Sequence, residues 1–323
     1  MPKKDDFILI AGNANLPLAK ATAKYLKVPV YFPVSRFSDQ EAHIQIPVNV
    51  RKKNVIIIQS TCPPNVDGAY VELFLMIDAA RRASAAEISV VIPYFGYSRQ
   101  DRKDRPRVPV SASLMAHLLE NIGADRILTI DIHSDQEQGF SMIPWENLYA
   151  SYSFVPVLKK KFKKVVVAAP DKGGVMLTSA FAKLLNAEGM AIVFKERDIK
   201  KHHHENVKTL GLIGEVDKMD VILVDDMIDT AGTICNAANA ISEKGAKNVY
   251  AVATHGIFSD PALERITNSQ LKKVFITDTL QLDERILKHP KIEVISVAPL
   301  LAEAIKRITT GESLSEKLIL RNW

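Results

Sequence analysis

Short apolar segments of strand length alternate with helical segments along almost the whole of this 323-residue chain. Runs of β-branched and other apolar residues predict strands at Phe7–Ala11, Val55–Gln59, Ile88–Tyr94, Ile127–Asp131, Val165–Ala169, Ile192–Lys195, Val221–Asp225, Val249–Thr254 and Val274–Thr277. Helical patterns occur at Leu16–Leu26, Ala69–Ala83, Ala112–Asn121, Val175–Leu185, Ile234–Glu243, Pro261–Thr267 and Leu300–Thr309. Because parallel strands need long crossover connections, this alternation predicts an α/β fold with mainly parallel sheets flanked by helices.

The second half of the chain weakly repeats the first. Three pairs of segments match in the same order, namely Ala19–Leu26 with Thr178–Leu185, Val55–Ser60 with Val221–Asp226, and the strand ending at Phe95–Ser98 with the strand ending at His255–Ser259. Conserved order of this kind is what duplication requires. We therefore expect two similar domains, residues 1–148 and 149–323, with about the last 15–20 residues packing back on the first domain.

Composition narrows the class of protein. Apolar residues make up 47% of the chain and charged residues 24%, with a net charge of +5. A net charge this small is favoured to reflect ordinary surface composition, and it would also suit polyanionic small substrates. A nucleic-acid partner is not expected, because the basic residues are dispersed and not interleaved with aromatic residues. The two cysteines, Cys62 and Cys235, imply no disulfide framework. The first residues show no apolar stretch of the signal-peptide kind and the longest apolar runs are too short to span a bilayer, so we expect neither a signal peptide nor a membrane span. We expect a cytoplasmic protein with no membrane partner.

The segment Val221–Ile234 carries the sharpest chemical signal. An apolar strand runs into two adjacent carboxylates, Asp225 and Asp226, and the small-residue loop Asp229–Thr233 then opens a helix. Such a loop offers backbone N–H groups and hydroxyls to a phosphate, and carboxylates suit sugar hydroxyls or a metal ion. The alternative is that the segment is only a turn with a capped helix. That alternative does not explain why two charged groups, which are costly without partners, lie at the end of an apolar strand. The pattern therefore predicts a site for a phosphorylated sugar.

Other polar groups follow predicted strands. Arg99 and Gln100 come after one strand and could grip a phosphate or a purine edge. His133 and Asp171 follow two further strands, and together they are a sparse set for Mg²⁺, which needs few protein ligands. The sequence contains no P-loop motif, no dinucleotide-binding glycine fingerprint and no zinc-ligand spacing. If the protein binds ATP, it would therefore have to do so without a P-loop.

Two cations, Lys195 and Arg197, end a strand and precede the polar segment 198–208. Alternate residues of an extended chain point the same way, so both cations could neutralise a transferring phosphoryl group. Residues 37–41 alone indicate only a polar turn. For His202–His204, solvent exposure is favoured over metal binding, because three adjacent side chains do not converge easily on one ion.

Taken together, these segments resemble the ribose-phosphate pyrophosphokinase (PRPP synthetase) family, class I-like, over nearly the whole chain. The matching segments, in family order and spacing, are Phe37–Glu41, Tyr97–Lys103, Asp131–His133, Gln138–Phe140, Pro170–Gly174, Lys195–Arg197, Val221–Thr233 and Thr254–Gly256. The resemblance implies two phosphoribosyltransferase-like domains. It also implies transfer of the diphosphoryl group of ATP to the 1-hydroxyl of ribose 5-phosphate, with release of AMP.

The resemblance also implies residue roles. ATP would be bound by Phe37, Asp39, Glu41, Arg99, Gln100 and Asp101. Mg²⁺, as two ions if one arrives with ATP, would be coordinated by His133 and Asp171, and the catalytic cations would be Lys195 and Arg197. Ribose 5-phosphate would be held by Asp225, Asp226, Asp229, Thr230, Ala231, Gly232 and Thr233. The family further implies a homo-oligomer, typically a hexamer.

Three departures from the family pattern stand out: Gln40 in place of a glycine, the segment Lys200–Glu205, and the C-terminal residues 316–323. Two alternative functions stay open. A phosphoribosyltransferase that consumes PRPP would share the Asp229–Thr233 loop, but it would not explain Arg99 or Lys195. A non-catalytic regulatory subunit need not have kept Lys195 or His133.

Overall fold

The computed structural model describes residues 7–196, 209–315 and 318. The chain divides into two compact units. The first contains the residues up to Ala150, the short segment Thr279–Gln281 and the segment that starts at Ser296, and the second contains Ser151–Asp278 and Leu282–Ile295. In the part of the chain that is described, no helix is long and apolar enough to cross a membrane.

The first unit is built around a parallel sheet. Its strands are β1 (Phe7–Ala11), β2 (Val30–Tyr31), β3 (Val34–Arg36), β4 (Ala42–Ile44), β5 (Asn54–Ile58), β6 (Glu87–Ile92), β7 (Arg126–Ile130) and β8 (Trp145–Leu148). Its first three helices are α1 (Leu16–Leu26), α2 (Val66–Arg82) and α3 (Ser111–Ile122). The sheet order is β2-β1-β5-β6-β7-β8, all parallel, and β3 and β4 form a separate antiparallel hairpin.

The second unit has the same architecture. Its helices are α4 (Ser151–Lys161), α5 (Val175–Leu185), α6 (Gly232–Glu243), α7 (Ala262–Asn268) and α8 (Glu284–Leu287). Its strands are β9 (Val165–Ala169), β10 (Gly189–Glu196), β11 (Thr209–Ile213), β12 (Asp220–Ile228), β13 (Asn248–Gly256), β14 (Leu271–Thr277) and β15 (Ile292–Ile295). The sheet order is β11-β10-β9-β12-β13-β14-β15, and only the edge pair β10–β11 is antiparallel. Helix α9 (Ala298–Thr310) belongs to the first unit, where it packs against α1.

The two sheets have matching strand orders. The order β2-β1-β5-β6-β7-β8 in the first unit corresponds strand for strand to β10-β9-β12-β13-β14-β15 in the second. The three matching sequence pairs fall on equivalent elements, namely α1 with α5, β5 with β12, and β6 with β13. The repeat is therefore visible in the strand order, although the two halves of the sequence match only weakly.

Burial explains why the central strands were predictable. In β12, Val221, Ile222, Leu223 and Val224 are all fully buried, as expected for a parallel strand covered on both faces. The strand continues to Ile228, however, with pairing to β13 on both sides of Asp226. The acidic pair therefore lies inside the last part of the strand, whereas the sequence had placed it at the strand end.

Several elements were not predicted. The strands β2, β3, β8, β11 and β15 are short or edge strands with weak apolar patterns. Helix α4 was missed as well, and it contains Pro156 in its interior, a residue that usually ends a helix. The buried side chains of Phe154 and Leu158 anchor α4 despite the proline.

Candidate active site

The loop between β12 and α6 places small residues at the start of a helix. After the buried Ile228, residues 229–231 turn the chain, and Ala231 adopts a left-handed conformation with φ of 58°. Helix α6 begins at Gly232, and its buried face, which includes Ile234 and Ile241, fixes it against the sheet. The N–H groups of a first helical turn have no intrahelical partners and are available to an anion. Thr230 and Thr233 are exposed beside them.

An arginine from the next helix supports this loop. Nη1 of Arg265 in α7 donates a hydrogen bond to the carbonyl oxygen of Thr230 at 2.9 Å. This bond fixes the orientation of the Thr230 carbonyl, and it therefore supports the conformation of the Thr230–Ala231 turn. Arg265 was not among the residues predicted from the sequence, because nothing local marks a residue so far along the chain as a partner of this loop.

Three carboxylates lie near the loop in the second unit. Asp225 accepts a hydrogen bond from the N–H of Asp226 at 3.0 Å, and Asp226 accepts one from the N–H of Met227 at 2.9 Å. Asp171, which follows β9, accepts the N–H of Gly173 at 2.8 Å. Burial raises the pKa of Asp225 well above its usual range, and the negative charges of Asp226 and Asp171 raise it further. The carboxylates are therefore close enough to repel one another.

This donor set suits a hard cation. Carboxylate oxygens are the ligands that Mg²⁺ prefers, and Mg²⁺ commonly takes one or two protein carboxylates and completes its shell with water and phosphate. Over the described ranges 7–196 and 209–315, no three His, Cys, Asp or Glu side chains are arranged to hold a metal by themselves. The repulsion at Asp225 shows that this end of the sheet would be stabilised by positive charge.

In the first unit, the segment that carries three of the predicted nucleotide residues is joined to the predicted metal histidine. Arg99 and Gln100 are exposed on the 3₁₀ helix Ser98–Gln100, and Asp101 follows half-buried. The backbone N–H of His133 donates to the Ser98 hydroxyl at 2.9 Å. The sequence placed both groups after strands, and the structure joins them through a serine that was not predicted to take part.

Residues 37–41 form the turn of the β3–β4 hairpin, outside the parallel sheet. The Phe37 ring is 53% exposed and lies 4.8 Å from the His43 ring, centroid to centroid. The Asp39 carboxylate accepts the N–H of Glu41 at 3.1 Å. The turn thus presents an exposed aromatic ring beside two carboxylates.

The structure gives a reason why Gln40 is unusual. Gln40 has a φ of 74°, in the left-handed region where glycine has no steric penalty. We expect Gln40→Gly to raise the free energy of unfolding by about 0.5–1 kcal/mol, measured by chemical denaturation. The control is Ser38→Gly in the same turn, since Ser38 lies outside the left-handed region and gains nothing from glycine. Equal effects of the two substitutions would contradict the strain argument.

The predicted catalytic cations are only partly described. Lys195 lies in β10, where its backbone pairs with Leu210 of β11, and its side chain is outside the described part of the structure. Arg197 and His202–His204 lie outside the described residues altogether. Residues 197–208 thus connect the two strands of an antiparallel pair at the edge of the second sheet.

Comparison with known proteins agrees with this architecture. The family described as the N-terminal domain of ribose phosphate pyrophosphokinase matches residues 7–123. The phosphoribosyl synthetase-associated domain matches residues 186–319. The crystal structure of phosphoribosylpyrophosphate synthetase from Mycobacterium smegmatis is similar with a TM-score of 0.87 and 36% identity, covering 95% of this chain and 99% of that chain.

Curated relatives are similar over nearly their full length. The ribose-phosphate pyrophosphokinase of Campylobacter jejuni subsp. jejuni is 46% identical over 313 residues, covering 96% of this chain and 98% of the relative. That of Haemophilus influenzae is 46% identical over 315 residues, with the same coverage. The predicted resemblance is therefore confirmed, and this chain belongs to the ribose-phosphate pyrophosphokinase (PRPP synthetase) family.

Proposed function

We propose that this protein synthesises 5-phosphoribosyl 1-diphosphate by transferring the diphosphoryl group of ATP to ribose 5-phosphate, with release of AMP. The observation that carries the proposal is the 46% identity, over 96% of the chain, to relatives named ribose-phosphate pyrophosphokinase. In the reaction, the 1-hydroxyl oxygen of the sugar forms a bond to the β-phosphorus of ATP. The bond from that phosphorus to the α–β bridging oxygen breaks, AMP leaves with that oxygen, and the hydroxyl proton is released.

The β12–α6 segment is the proposed acceptor site. Asp225 and Asp226 bind the ribose hydroxyls, because carboxylates at this end of a parallel strand are well placed to accept them. Asp229, Thr230, Ala231, Gly232 and Thr233 hold the 5-phosphate through hydroxyls and the free N–H groups at the start of α6. The phosphate would also be attracted by the positive end of the helix dipole.

ATP and Mg²⁺ bind to the remaining predicted residues. The proposed ATP contacts are Phe37, Asp39, Glu41, Arg99, Gln100 and Asp101, and Asp171 and His133 are the proposed metal ligands. When bound, Mg²⁺ supplies positive charge that polarises the phosphate oxygens. Lys195 and Arg197 stabilise negative charge on the transferred group, as cations do in other phosphoryl transfers.

One assay separates this proposal from its rivals. Purified protein is incubated with ATP, Mg²⁺ and ribose 5-phosphate, and AMP and PRPP are measured. Equal amounts of AMP and PRPP support diphosphoryl transfer, whereas ADP alone contradicts it. Consumption of PRPP with a purine or pyrimidine base would indicate a phosphoribosyltransferase. No turnover over a range of phosphate concentrations would indicate a regulatory subunit.

The proposal extends to assembly and location. As in the family it resembles, the protein would form a homo-oligomer, with a hexamer as the expected size, and act in the cytoplasm. Light scattering on the purified protein tests the mass, and a monomer that is fully active would contradict the assembly.

Arg265→Met is expected to raise the KM for ribose 5-phosphate about tenfold, which corresponds to losing one charged hydrogen bond. The substitution removes the bond to the Thr230 carbonyl that holds the phosphate loop. The KM for ATP should change less than about twofold. The matched control is Arg285→Met, because Arg285 is an arginine of the same unit that pairs with Asp283 instead. An unchanged KM for ribose 5-phosphate in Arg265→Met would exclude a role for this bond.

A further inference from the structure

Glu137 is a fully buried acid in the first unit, 0% exposed, within the 3₁₀ helix Asp135–Phe140. Its Oε1 atom accepts a hydrogen bond from the Ser98 hydroxyl at 2.6 Å and another from the N–H of Ser134 at 3.1 Å. The Ser98 hydroxyl in turn accepts the N–H of His133 at 2.9 Å. A continuous chain of hydrogen bonds therefore runs from His133 through Ser98 to Glu137 and back to Ser134.

This chain of bonds links two segments that carry proposed functional residues. Ser98 is the first residue of the 3₁₀ helix that bears Arg99 and Gln100. His133 and Ser134 form the turn that follows β7. Because Ser98 is itself 4% exposed, the hydroxyl has no ready exchange with water and its orientation is set by Glu137.

The buried acid is costly for the fold. Burial raises the pKa of Glu137 to about 7, and the nearby charge of Asp101 contributes to the rise. Its second oxygen, Oε2, is buried and accepts no hydrogen bond from the described residues. An apolar side chain of similar size would avoid both costs. A buried polar residue that lowers the stability of the fold is often kept because it has a role in function.

Capping alone does not account for the arrangement. A bond from Glu137 to the N–H of Ser134 is sufficient to cap the short helix. The bond to Ser98 adds nothing to that helix, but it fixes the neighbouring segment, 35 residues away in sequence from His133. The bond from the Ser98 hydroxyl to Glu137 therefore fixes the position of the segment around Ser98 relative to the segment around His133.

We propose that Glu137 is a positioning residue that holds Arg99–Asp101 in a fixed place relative to His133, so that ATP and its metal ion meet a preformed set of groups. This inference rests on the proposed function, in which Arg99, Gln100 and Asp101 bind ATP and His133 binds Mg²⁺. Glu137 itself does not touch the substrate. Its effect passes through the Ser98 hydroxyl, which depends on an acceptor at Oε1 and not on a negative charge.

The test compares Glu137→Leu, Glu137→Gln and Ser98→Ala. Leucine removes the acceptor, whereas the side-chain oxygen of glutamine keeps it. We expect Glu137→Leu to raise the KM for ATP about tenfold and to leave the KM for ribose 5-phosphate within about twofold. Glu137→Gln should restore the KM for ATP to within about twofold of the parent protein. Ser98→Ala should resemble Glu137→Leu, and the double variant should be no worse than either single variant, because both break one chain of bonds.

Glu120→Leu is the matched control. Glu120 makes the same kind of contacts in the same unit, accepting the Ser141 hydroxyl at 2.9 Å and the N–H of Met142 at 3.0 Å. It contacts the segment after the 3₁₀ helix and does not reach Ser98 through these bonds. Its loss should lower the melting temperature without a selective rise in the KM for ATP.

A second readout does not depend on activity. Hydrogen exchange followed by mass spectrometry should become faster over residues 98–101 and 133–137 in Glu137→Leu and Ser98→Ala, but not in Glu137→Gln or Glu120→Leu. If Glu137→Leu proves insoluble, Ser98→Ala carries the same comparison, because it removes the linking hydroxyl and leaves the cap intact.

The outcomes separate this inference from the proposed function. An unchanged KM for ATP in folded Glu137→Leu or Ser98→Ala overturns the positioning role alone. If Glu137→Gln raises the KM for ATP as much as Glu137→Leu does, the positioning role is also overturned, because the negative charge of Glu137 would then matter and not its hydrogen-bond acceptor. Equal losses in Glu120→Leu would show a general effect on folding. If the parent protein forms no AMP and PRPP, the proposed function is overturned. If Arg99→Ala leaves the KM for ATP unchanged, the proposed ATP site is overturned. In either case this inference fails as well.

Discussion

Replacing Lys195 by alanine is expected to lower kcat about 10³-fold, the range seen when one charge-stabilising group is removed from a phosphoryl-transfer site. Negative charge spreads over the equatorial oxygens of the transferred group in the transition state, and a cation aimed there acts mainly in that state. The affinity for ribose 5-phosphate should stay within about a few-fold of the parent, since the β12–α6 segment, and not Lys195, is the proposed sugar site. Steady-state kinetics and equilibrium binding of ribose 5-phosphate together measure the two effects.

Lys218→Ala is the control for this substitution. Lys218 lies in the same unit, on a turn between β11 and β12, and its side chain is 90% exposed. Its removal changes the net charge by the same amount as Lys195→Ala without affecting turnover. If Lys195→Ala weakened substrate binding as much as it slowed turnover, Lys195 would be a ground-state binding residue, and the proposed transition-state role would be wrong.

Asp225→Asn is expected to make the ligand-free protein more stable and the enzyme much less active. Burial and the charges of Asp226 and Asp171 raise the pKa of Asp225, so ionising this carboxyl in the folded protein is unfavourable. Asparagine keeps an acceptor for the N–H of Asp226 and carries no charge. We therefore expect a higher free energy of unfolding than that of the parent protein at neutral pH. Turnover should fall at least about 100-fold, because the substitution removes the proposed charged acceptor for the ribose hydroxyls.

The stability gained in Asp225→Asn should depend on pH, and the raised pKa of Asp225 determines at which pH the gain is present. A carboxyl whose pKa is raised on folding costs no stability below its unfolded pKa, near pH 4, where both states are protonated. The cost then grows as the pH rises towards the folded pKa. Denaturation of Asp225→Asn and parent protein in EDTA should therefore show little difference near pH 4 and a clear gain at pH 8. A gain that is independent of pH would point to improved packing instead of relieved charge.

Much of the fold could be predicted because its signals are local. The central strands β9 and β12 are buried on both faces, so they read as continuous apolar runs, and helices such as α1 and α5 were predicted with the bounds that the structure has. The duplication was predictable for the same reason, since equivalent strands need equivalent apolar patterns. The edge strand β2 escaped detection because it is only two residues long and its side chains are only partly buried.

The candidate site was predictable in its residue types, and its contacts were not. The acidic pair inside β12 and the small-residue loop after this strand lie close together in sequence, so their chemistry could be inferred directly. Glu137 had the appearance of an ordinary polar residue until the fold placed Ser98 and Ser134 against it. Arg265 likewise gained a partner at Thr230 only through the packing of α7 beside α6. Gln40 was recognised as a departure, and its φ explains what the departure costs.

The sequence by itself determined the α/β class, the duplicated architecture and the family of this protein, because periodicity, turn chemistry and motif order are properties of neighbouring residues. Only the tertiary structure decided which side chains share an environment. Burial and the approach of distant charges raised the pKa of Asp225, and hydrogen bonds across long separations joined His133 to Ser98 and Glu137. Both effects depend on distances in space, and those distances exist only once the chain has folded.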